Sequence, residues 1–230
     1  MTDPLDTSAG ISYGTLADLR AECPVSRTES GAYLLTRLLH TEVDGERLTD
    51  LEMRTQLAFL LMAGNETTRH LIANMLETVC TDPSLLARLR AATDLVPIVV
   101  EESLCHDSPI HVLMRDWVTE TTIEDTTIPV GVKVAFSLGS ANRDERNYDN
   151  PDAFRLDRPS ARDHLAFGGG PHVCPGAALA RLEGRFALEV FLERVEKVDV
   201  AEDYRREPVP VFWANGPRRL PVVLTGSGAR

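Results

Sequence analysis

Apolar residues recur at helical spacing along most of the first half of the chain. The longest such stretch follows Thr49 and Glu52, which are spaced as a capping box, and it predicts a helix that ends before Asp82. Two shorter helices are predicted at residues 83–92 and 95–104. This half of the chain is therefore predicted to be mainly helical.

The second half mixes two periods. Between residues 112 and 138 the apolar period drops to two, with Gly131 at a turn, and predicts two or three short strands. Residues 142–164 are polar and aperiodic, as in a long ordered meander or a loop. Helical spacing returns at residues 177–195, and residues 208–224 predict a terminal hairpin. The apolar face of this last helix consists of Leu179, Leu182, Phe186 and Val190. The predicted fold class is mainly α with small β-sheets (α+β).

Composition and charge exclude several classes of partner. The 230 residues are 43% hydrophobic, which allows one core or two small ones. The formal net charge is −11 without any basic run, so we expect no nucleic-acid partner. The longest apolar run, residues 57–63, is far shorter than the roughly 20 residues of a membrane span, and the first residues lack the pattern of a signal peptide. We therefore expect a cytoplasmic protein with no membrane partner.

The candidate chemistry lies around one of four cysteines, which stand at positions 23, 80, 105 and 174 without CxxC spacing. This arrangement indicates neither a disulfide framework nor a zinc ribbon. Cys174 lies between three consecutive glycines and a predicted helix, whose free N–H groups favour a thiolate that can act as a soft ligand. On spacing alone, a buried structural cysteine is an equal alternative. A phosphate loop is disfavoured, because no Gly-Lys-Ser/Thr follows the glycines.

Residues 167–176, Phe-Gly-Gly-Gly-Pro-His-Val-Cys-Pro-Gly, resemble the cysteine loop of the cytochromes P450, which are haem-thiolate monooxygenases. Every fixed position of the family pattern F-G-x-G-x-H/R-x-C-x-G is present. The resemblance implies haem b as the cofactor and Cys174 as the axial thiolate of its iron. It also implies that other loop positions contact the cofactor, namely Phe167 beside the sulfur, His172 toward a haem propionate, Gly168 and Gly176.

Residues 63–68, Ala-Gly-Asn-Glu-Thr-Thr, lie inside the long predicted helix, where a glycine costs about 1 kcal/mol relative to alanine. Taken alone, the polar positions suit a solvated helix face. The string also resembles the oxygen-binding helix of the same family. That resemblance implies that Gly64 leaves room above the iron, while Thr67 and Glu66 deliver protons to dioxygen.

The resemblance extends to charged residues on both sides of the strands. Arg115 stands where bacterial members have an arginine that pairs with a haem propionate, and residues 150–158 resemble the segment before the cysteine loop, with Arg158 as its meander arginine. Glu102 aligns with the glutamate of the family's Glu-x-x-Arg, but Cys105 stands where the arginine belongs. Loss of one partner from a buried ionic network typically costs about 3–5 kcal/mol.

Chains of this family are nearly twice as long as this one. A predicted helix at 16–22 and a strand at 32–36 resemble the family's N-terminal elements, whereas residues 43–50 resemble the loop just before the oxygen-binding helix. We therefore expect an N-terminal remnant at residues 1–40 and a haem-binding core, half of the family fold, at residues 41–230. An internal deletion at their join would account for the missing helices.

Three functions are compatible with these observations. The first is a haem-thiolate monooxygenase that uses dioxygen to oxidise a small organic substrate, with electrons from a separate ferredoxin-type protein, since the chain has no ferredoxin or flavin motif. The alternative is a non-catalytic haem-binding or apo pseudoenzyme. A redox- or metal-sensing site at Cys174 and His172 is a weaker third, because no second ligand pair has suitable spacing. Apolar faces left by the missing helices are expected to favour homo-oligomers or weak haem retention.

Overall fold

The computed structural model describes His40 and residues 42–159 and 161–226. The predicted N-terminal helix and strand, and nearly all of the expected N-terminal remnant, lie outside these residues. The chain divides into two compact units, residues 1–62 and 63–230, and each is described by itself.

The described part of the first unit holds a hairpin and the start of a helix. Strands β1 (Glu42–Val43) and β2 (Glu46–Arg47) pair antiparallel around Asp44 and Gly45, whose φ angles are 53° and 83°. An Asp-Gly pair suits a two-residue hairpin turn because both residues tolerate positive φ. Helix α1 (Asp50–Thr81) begins three residues after β2.

The start of α1 is the predicted capping box. The Thr49 hydroxyl donates to Oε2 of Glu52 at 2.7 Å, and the Thr49 N–H donates to the same oxygen at 2.9 Å. The Glu52 N–H in turn lies 3.3 Å from Oγ1 of Thr49. These reciprocal bonds satisfy N–H groups that have no partner within the helix.

Helices α2 (Pro83–Ala91), α3 (Val96–His106), α4 (Leu138–Ala141) and α5 (Ala177–Arg194) follow α1. Asp82 separates α1 from α2 and caps α2, since its carboxylate accepts hydrogen bonds from the N–H groups of Ser84 and Leu85. The three helices predicted between Thr49 and residue 104 are confirmed, with ends within two residues of those observed.

The region from 112 to 138 forms two separate antiparallel sheets. Strand β3 (Val112–Asp116) pairs with β6 (Lys133–Ser137), and β4 (Thr121–Ile123) pairs with β5 (Thr126–Ile128). Gly131, with a φ of 85°, lies in the turn before β6. The sequence predicts two or three strands here, and the structure has four, because the short β4–β5 hairpin is inserted between the strands of the β3–β6 pair.

The prediction of a hairpin at 208–224 is wrong. Strand β8 (Val222–Gly226) pairs instead with β7 (Val195–Val200), which continues directly from α5. Within 208–224 the chain folds back at an isolated bridge between Pro208 and Pro217, next to the hydrogen bond from the Val209 N–H to the carbonyl oxygen of Gly216. Prolines at 208, 210, 217 and 221 lack the N–H that a regular ladder needs, so the segment folds as an irregular loop.

The apolar core of the second unit lies among α1, α2, α3 and α5. Its fully buried members include Leu71 and Met75 of α1, Leu89 of α2 and Leu104 of α3. Helix α5 buries only Gly184 and Leu188. The predicted apolar face of this helix is largely exposed, with exposed fractions of 39% to 60% at Leu179, Leu182, Phe186 and Val190. The side of α5 that packs on the core is therefore not the one that its apolar residues indicate.

The observed architecture confirms the predicted class of mainly α with small antiparallel sheets. In the part of the chain that the structure describes, no helix is long and apolar enough to cross a membrane.

Candidate functional site

The segment around Cys174 is a tight loop closed by its own backbone. The Cys174 N–H donates to the carbonyl oxygen of Phe167 at 2.9 Å, and the Gly168 N–H donates to that of Leu165 at 2.8 Å. Gly168 and Gly170 have φ angles of 70° and 66°, in the left-handed region that favours glycine. The glycines thus let the chain turn back so that Cys174 comes beside Phe167.

Cys174 stands just before α5 and is half-buried. A Cβ atom added at Gly176 would lie 3.8 Å from the Cys174 sulfur, so the absence of a side chain there keeps the space beside the sulfur free. The start of a helix presents unpaired N–H groups and the positive end of its dipole. Cys174 therefore offers a sulfur ligand at the positive end of α5.

The structure does not link His172 or Arg115 to the cysteine through polar contacts. His172 lies exposed in the 3-10 turn Gly170–His172 that precedes Cys174. Arg115 is exposed on β3, and its guanidinium donates to the carbonyl oxygen of Met114 at 2.9 Å. Within the described residues, neither side chain bonds to another predicted cofactor-binding residue, so both are available to an anionic group.

Gly64, Glu66 and Thr67 lie in the part of α1 that belongs to the second unit. The Thr67 hydroxyl donates to the carbonyl oxygen of Ala63 at 2.6 Å, as helical threonines commonly do. Glu66 is partly exposed, and its Oε1 lies 3.5 Å from both the Arg69 guanidinium and the His70 ring. A Cβ atom added at Gly64 would meet nothing within 4 Å.

A cleft of about 520 Å³ opens beside Gly64, between α1 and α5. Its wall is mostly apolar and includes Ile72 and Leu76 of α1, together with Leu220. Neither Cys174 nor Thr67 lines it, so this cleft is separate from the cysteine loop.

Glu102 and Arg158 form a buried ion pair between α3 and the irregular segment 142–164, which we call the meander. Arg158 donates from Nε to Oε2 of Glu102 at 2.9 Å and from Nη2 to Oε1 at 3.1 Å. The Arg155 N–H adds a bond to Oε1 at 2.8 Å, and Arg158 also donates to the carbonyl oxygens of Asp149 and Ala153. The structure thus brings together two of the three network positions, with both carboxylate oxygens of Glu102 bound.

Cys105, at the third network position, makes little polar contact. Its side chain is buried, and the sulfur lies 4.0 Å from the carbonyl oxygen of Asn142. Burial raises the pKa of Cys105 to about 11, and the nearby charge of Glu102 acts in the same direction. Cys105 is therefore a neutral thiol that cannot substitute for an arginine.

Sequence reasoning missed two clusters. Glu101 binds Arg181 and His164 beside the cysteine loop, and His164 could have been noticed because it opens the glycine-rich stretch. A second cluster joins Glu77 to Tyr204 and Arg206. Burial raises the pKa of Tyr204, and its hydrogen bond to Glu77 adds to the effect. No local sequence pattern predicts which residues pair in either cluster, since the partners are far apart in sequence.

Comparison with known proteins settles the family. A sequence model described as "Cytochrome P450" matches residues 20–209. The chain belongs to the cytochrome P450 family. It is similar to Cytochrome P450 109 of Bacillus spizizenii, with 40% identity over 200 residues, and to the Cyclomarin C epoxidase CymV of Salinispora arenicola, with 38% identity over 209 residues.

Among solved structures, cytochrome P450 CYP109Q5 from Chondromyces apiculatus matches with a TM-score of 0.80 and 39% identity. The match covers 94% of this chain and 54% of that one. Similarly, the alignments cover 86% and 90% of this chain but 49% and 52% of the Bacillus and Salinispora relatives. The chain thus spans about half the length of the curated cytochromes P450 that it matches.

Membership of this family implies haem iron as the cofactor. The residues present fit a haem-thiolate arrangement, because such a haem needs a single protein thiolate, and Cys174 offers an accessible sulfur at a helix start. By contrast, the described residues hold no group of three His, Cys, Asp or Glu side chains that could bind a bare metal ion. The donor set therefore suits a haem iron better than the sensing site considered above.

Proposed function

We propose that this chain is the haem-binding part of a haem-thiolate monooxygenase and that Cys174 is the residue that would hold the haem iron. The observation that carries the proposal is the placement of Cys174, half-buried at the start of α5 in a loop whose backbone is closed by its own N–H group. In the reaction, one oxygen atom of dioxygen enters a small organic substrate and the other leaves as water, which consumes two electrons and two protons. When bound, the haem supplies the redox chemistry of this step.

The chain's own residues have distinct tasks in this proposal. Cys174 would hold the iron, Gly176 would leave space beside the sulfur, and Gly168 and Phe167 would contact the haem. His172 and Arg115 bind the propionates, which suits their exposed positions without other polar partners in the site. The haem-binding core is proposed to be residues 41–230, with residues 1–40 as the N-terminal remnant.

Proton delivery falls to α1. Glu66 is partly exposed and can exchange a proton with water, while the Thr67 hydroxyl can pass one on if it rotates away from the carbonyl oxygen of Ala63. Gly64 keeps the helix surface open at this point, since its Cβ position meets no other atom within 4 Å. Electrons come from a separate ferredoxin-type protein.

The alternative function is a non-catalytic haem-binding or apo pseudoenzyme with an internal deletion. It is favoured by Cys105 at the arginine position and by the exposed apolar residues of α5. An apolar face of this kind favours self-association, so a homo-oligomer is part of this proposal. Size-exclusion chromatography of the purified chain tests it, and a monomer that retains haem would argue against it.

The decisive experiment is the absorption spectrum of the purified chain, reconstituted with haem, reduced and exposed to carbon monoxide. A thiolate-type Soret band that disappears in Cys174→Ser supports the proposed ligand, whereas Cys105→Ser serves as the control and should keep the band. A band of the neutral-thiol type points to a collapsed site. The absence of any Soret band leaves the apo pseudoenzyme.

A further inference from the structure

A buried carboxylate on α3 joins the two ends of the cysteine loop. Arg181, on α5, donates from Nε to Oε1 of Glu101 at 2.6 Å and from Nη2 to Oε2 at 3.1 Å. His164, just before the loop, places Nε2 at 3.3 Å from Oε2 of the same carboxylate. Glu101 therefore binds one residue on each side of the loop, and only 6% of its surface is exposed.

The tautomer of His164 follows from its partners. Its Nδ1 lies 3.2 Å from the backbone N–H of Ala166 and must accept, so Nε2 carries the hydrogen that points at Glu101. Burial alone would raise the pKa of Glu101, but the hydrogen bonds from His164 and Arg181, together with the charge of Arg181, lower it to about 2. Glu101 is thus a carboxylate with both oxygens bound.

The same two partners enclose Phe167. The ring of His164 lies 5.6 Å from the Phe167 ring, centroid to centroid, and the Arg181 guanidinium lies 4.6 Å from the Phe167 ring centroid. A guanidinium at this distance from an aromatic ring makes a favourable cation–π contact. Phe167 in turn accepts the Cys174 N–H at its carbonyl oxygen. A continuous series of contacts therefore runs from Glu101 to the backbone of Cys174.

We propose that Glu101 is a positioning residue for Cys174, which it holds through Arg181, His164 and the Phe167 ring between them. The effect of Glu101 on Cys174 as an iron ligand rests on the proposed function. The restraint of Glu101 on the cysteine loop does not depend on haem binding. The adjacent Glu102 binds the meander, so the two neighbouring carboxylates of α3 have separate tasks. One fixes the meander, and the other fixes the cysteine loop.

Hydrogen–deuterium exchange of the chain as purified tests the restraint directly. Glu101→Gln and Arg181→Lys both disturb the cluster, and Arg181→Lys keeps the positive charge but removes the planar group over Phe167. In both variants we expect amides of residues 165–176 to exchange about tenfold faster or more, since hydrogen bonds to a charged group are lost. Peptides from α2 should keep their protection.

The matched control is Glu189→Gln, which breaks the exposed Arg185–Glu189 pair on the same helix and should leave the loop unchanged. Unchanged exchange of residues 165–176 in both test variants overturns the proposal. Uniform acceleration across all peptides in both variants also overturns it, because Glu101 would then support the fold in general.

A spectroscopic arm separates this inference from the proposed function. With haem bound, the reduced carbon monoxide complex of both test variants should show a larger neutral-thiol fraction than wild type, because the loop no longer holds the sulfur in place. A wild-type thiolate band with unaltered variants would reject only the positioning role. Failure of wild type to bind haem would reject the proposed function, and the exchange experiment would still decide the role of Glu101.

Discussion

Arg158 binds both carboxylate oxygens of Glu102, at 2.9 and 3.1 Å, in a position where both side chains are almost fully buried. The exposed fractions of the two side chains are 3% and 0%. A carboxylate buried this deeply needs its partner, because an unpaired buried charge is far more costly than an absent pair. The pair therefore anchors the meander to α3 although the third family position is a cysteine.

Arg158→Met should destabilise the chain by about 3–5 kcal/mol, because it leaves the Glu102 carboxylate buried with fewer partners. Urea unfolding followed by circular dichroism measures the change. Asp157→Asn is the control, since it breaks an exposed pair with Arg155 a single residue away, and its midpoint should stay close to wild type. A small effect of Arg158→Met would mean that the meander is held mainly by its backbone contacts.

Cys105→Arg should raise stability by about 1–3 kcal/mol, a shift of roughly 2–4 °C per kcal/mol in a chain of this size. The new guanidinium would find two acceptors nearby, the Glu102 carboxylate and the carbonyl oxygen of Asn142, of which the present thiol uses only the latter. Thermal unfolding measures the change, with Cys105→Met as a control for side-chain size. A lower melting temperature for Cys105→Arg would contradict the assignment of position 105 to the network.

Local signals were enough to predict part of this structure. The capping box of Thr49 and Glu52 marks the start of α1, because both partners lie within one helical turn. Cys174 and its glycines are also contiguous in sequence, so the tight turn before α5 could be predicted. Short-range hydrogen bonds and the steric freedom of glycine decide such features.

Long-range pairings could not be predicted in the same way. Glu101 and Arg181 are separated by 80 positions, and only the packing of α3 on α5 brings them together. Likewise, β8 pairs with β7 rather than with its nearer neighbours. The apolar period of α5 points to Leu179 and Phe186, but the core contact is made at Gly184, whose added Cβ would lie 3.4 Å from Leu71. A helix face that packs through a glycine cannot be predicted from the spacing of apolar residues.

The stability that His106 contributes should decrease as the pH rises. Its Nδ1 lies 2.9 Å from Oδ2 of Asp107 and its Nε2 lies 3.1 Å from the carbonyl oxygen of Asp152, so only the doubly protonated ring can donate to both. Burial alone would lower the pKa of His106, and the charge of Arg143 acts the same way. The bonds to Asp107 and Asp152 and the charge of Asp107 outweigh both and raise it.

A raised pKa in the folded state means that this stabilisation is fully present below the unfolded pKa, about 6.5, and is lost as the pH rises through the folded value. The difference in unfolding free energy between wild type and His106→Gln should therefore shrink between about pH 5.5 and 8.5. Urea titrations across this range measure it, with His40→Gln as the control for an exposed histidine. A difference that is constant or grows with pH would contradict the prediction.

Gly216→Ala should destabilise the chain by about 1–3 kcal/mol through overpacking. The added Cβ would lie 2.1 Å from Nδ1 of His70, a residue that is only 2% exposed. Gly184→Ala is the matched control with a smaller cost, because its nearest neighbour is the end of a flexible leucine side chain. In the His70→Ala background, Gly216→Ala should cost little unfolding free energy. If the effects of the two substitutions are fully additive, the clash with His70 is not the cause.

Gly64→Ala should make the chain more stable but weaken carbon monoxide binding by its haem-loaded form. Alanine is favoured over glycine in a helix interior by about 1 kcal/mol, and the new Cβ meets no protein atom within 4 Å. If Gly64 faces the bound haem, as the family resemblance implies, the added methyl group would occupy the space needed by the ligand and weaken carbon monoxide binding by the reduced haem-loaded chain. Ala58→Gly, at another exposed position of α1, should instead lower stability and leave binding unchanged. Urea unfolding and carbon monoxide titration measure both quantities, and a Gly64→Ala chain with higher stability and wild-type binding would show that this glycine does not face the haem.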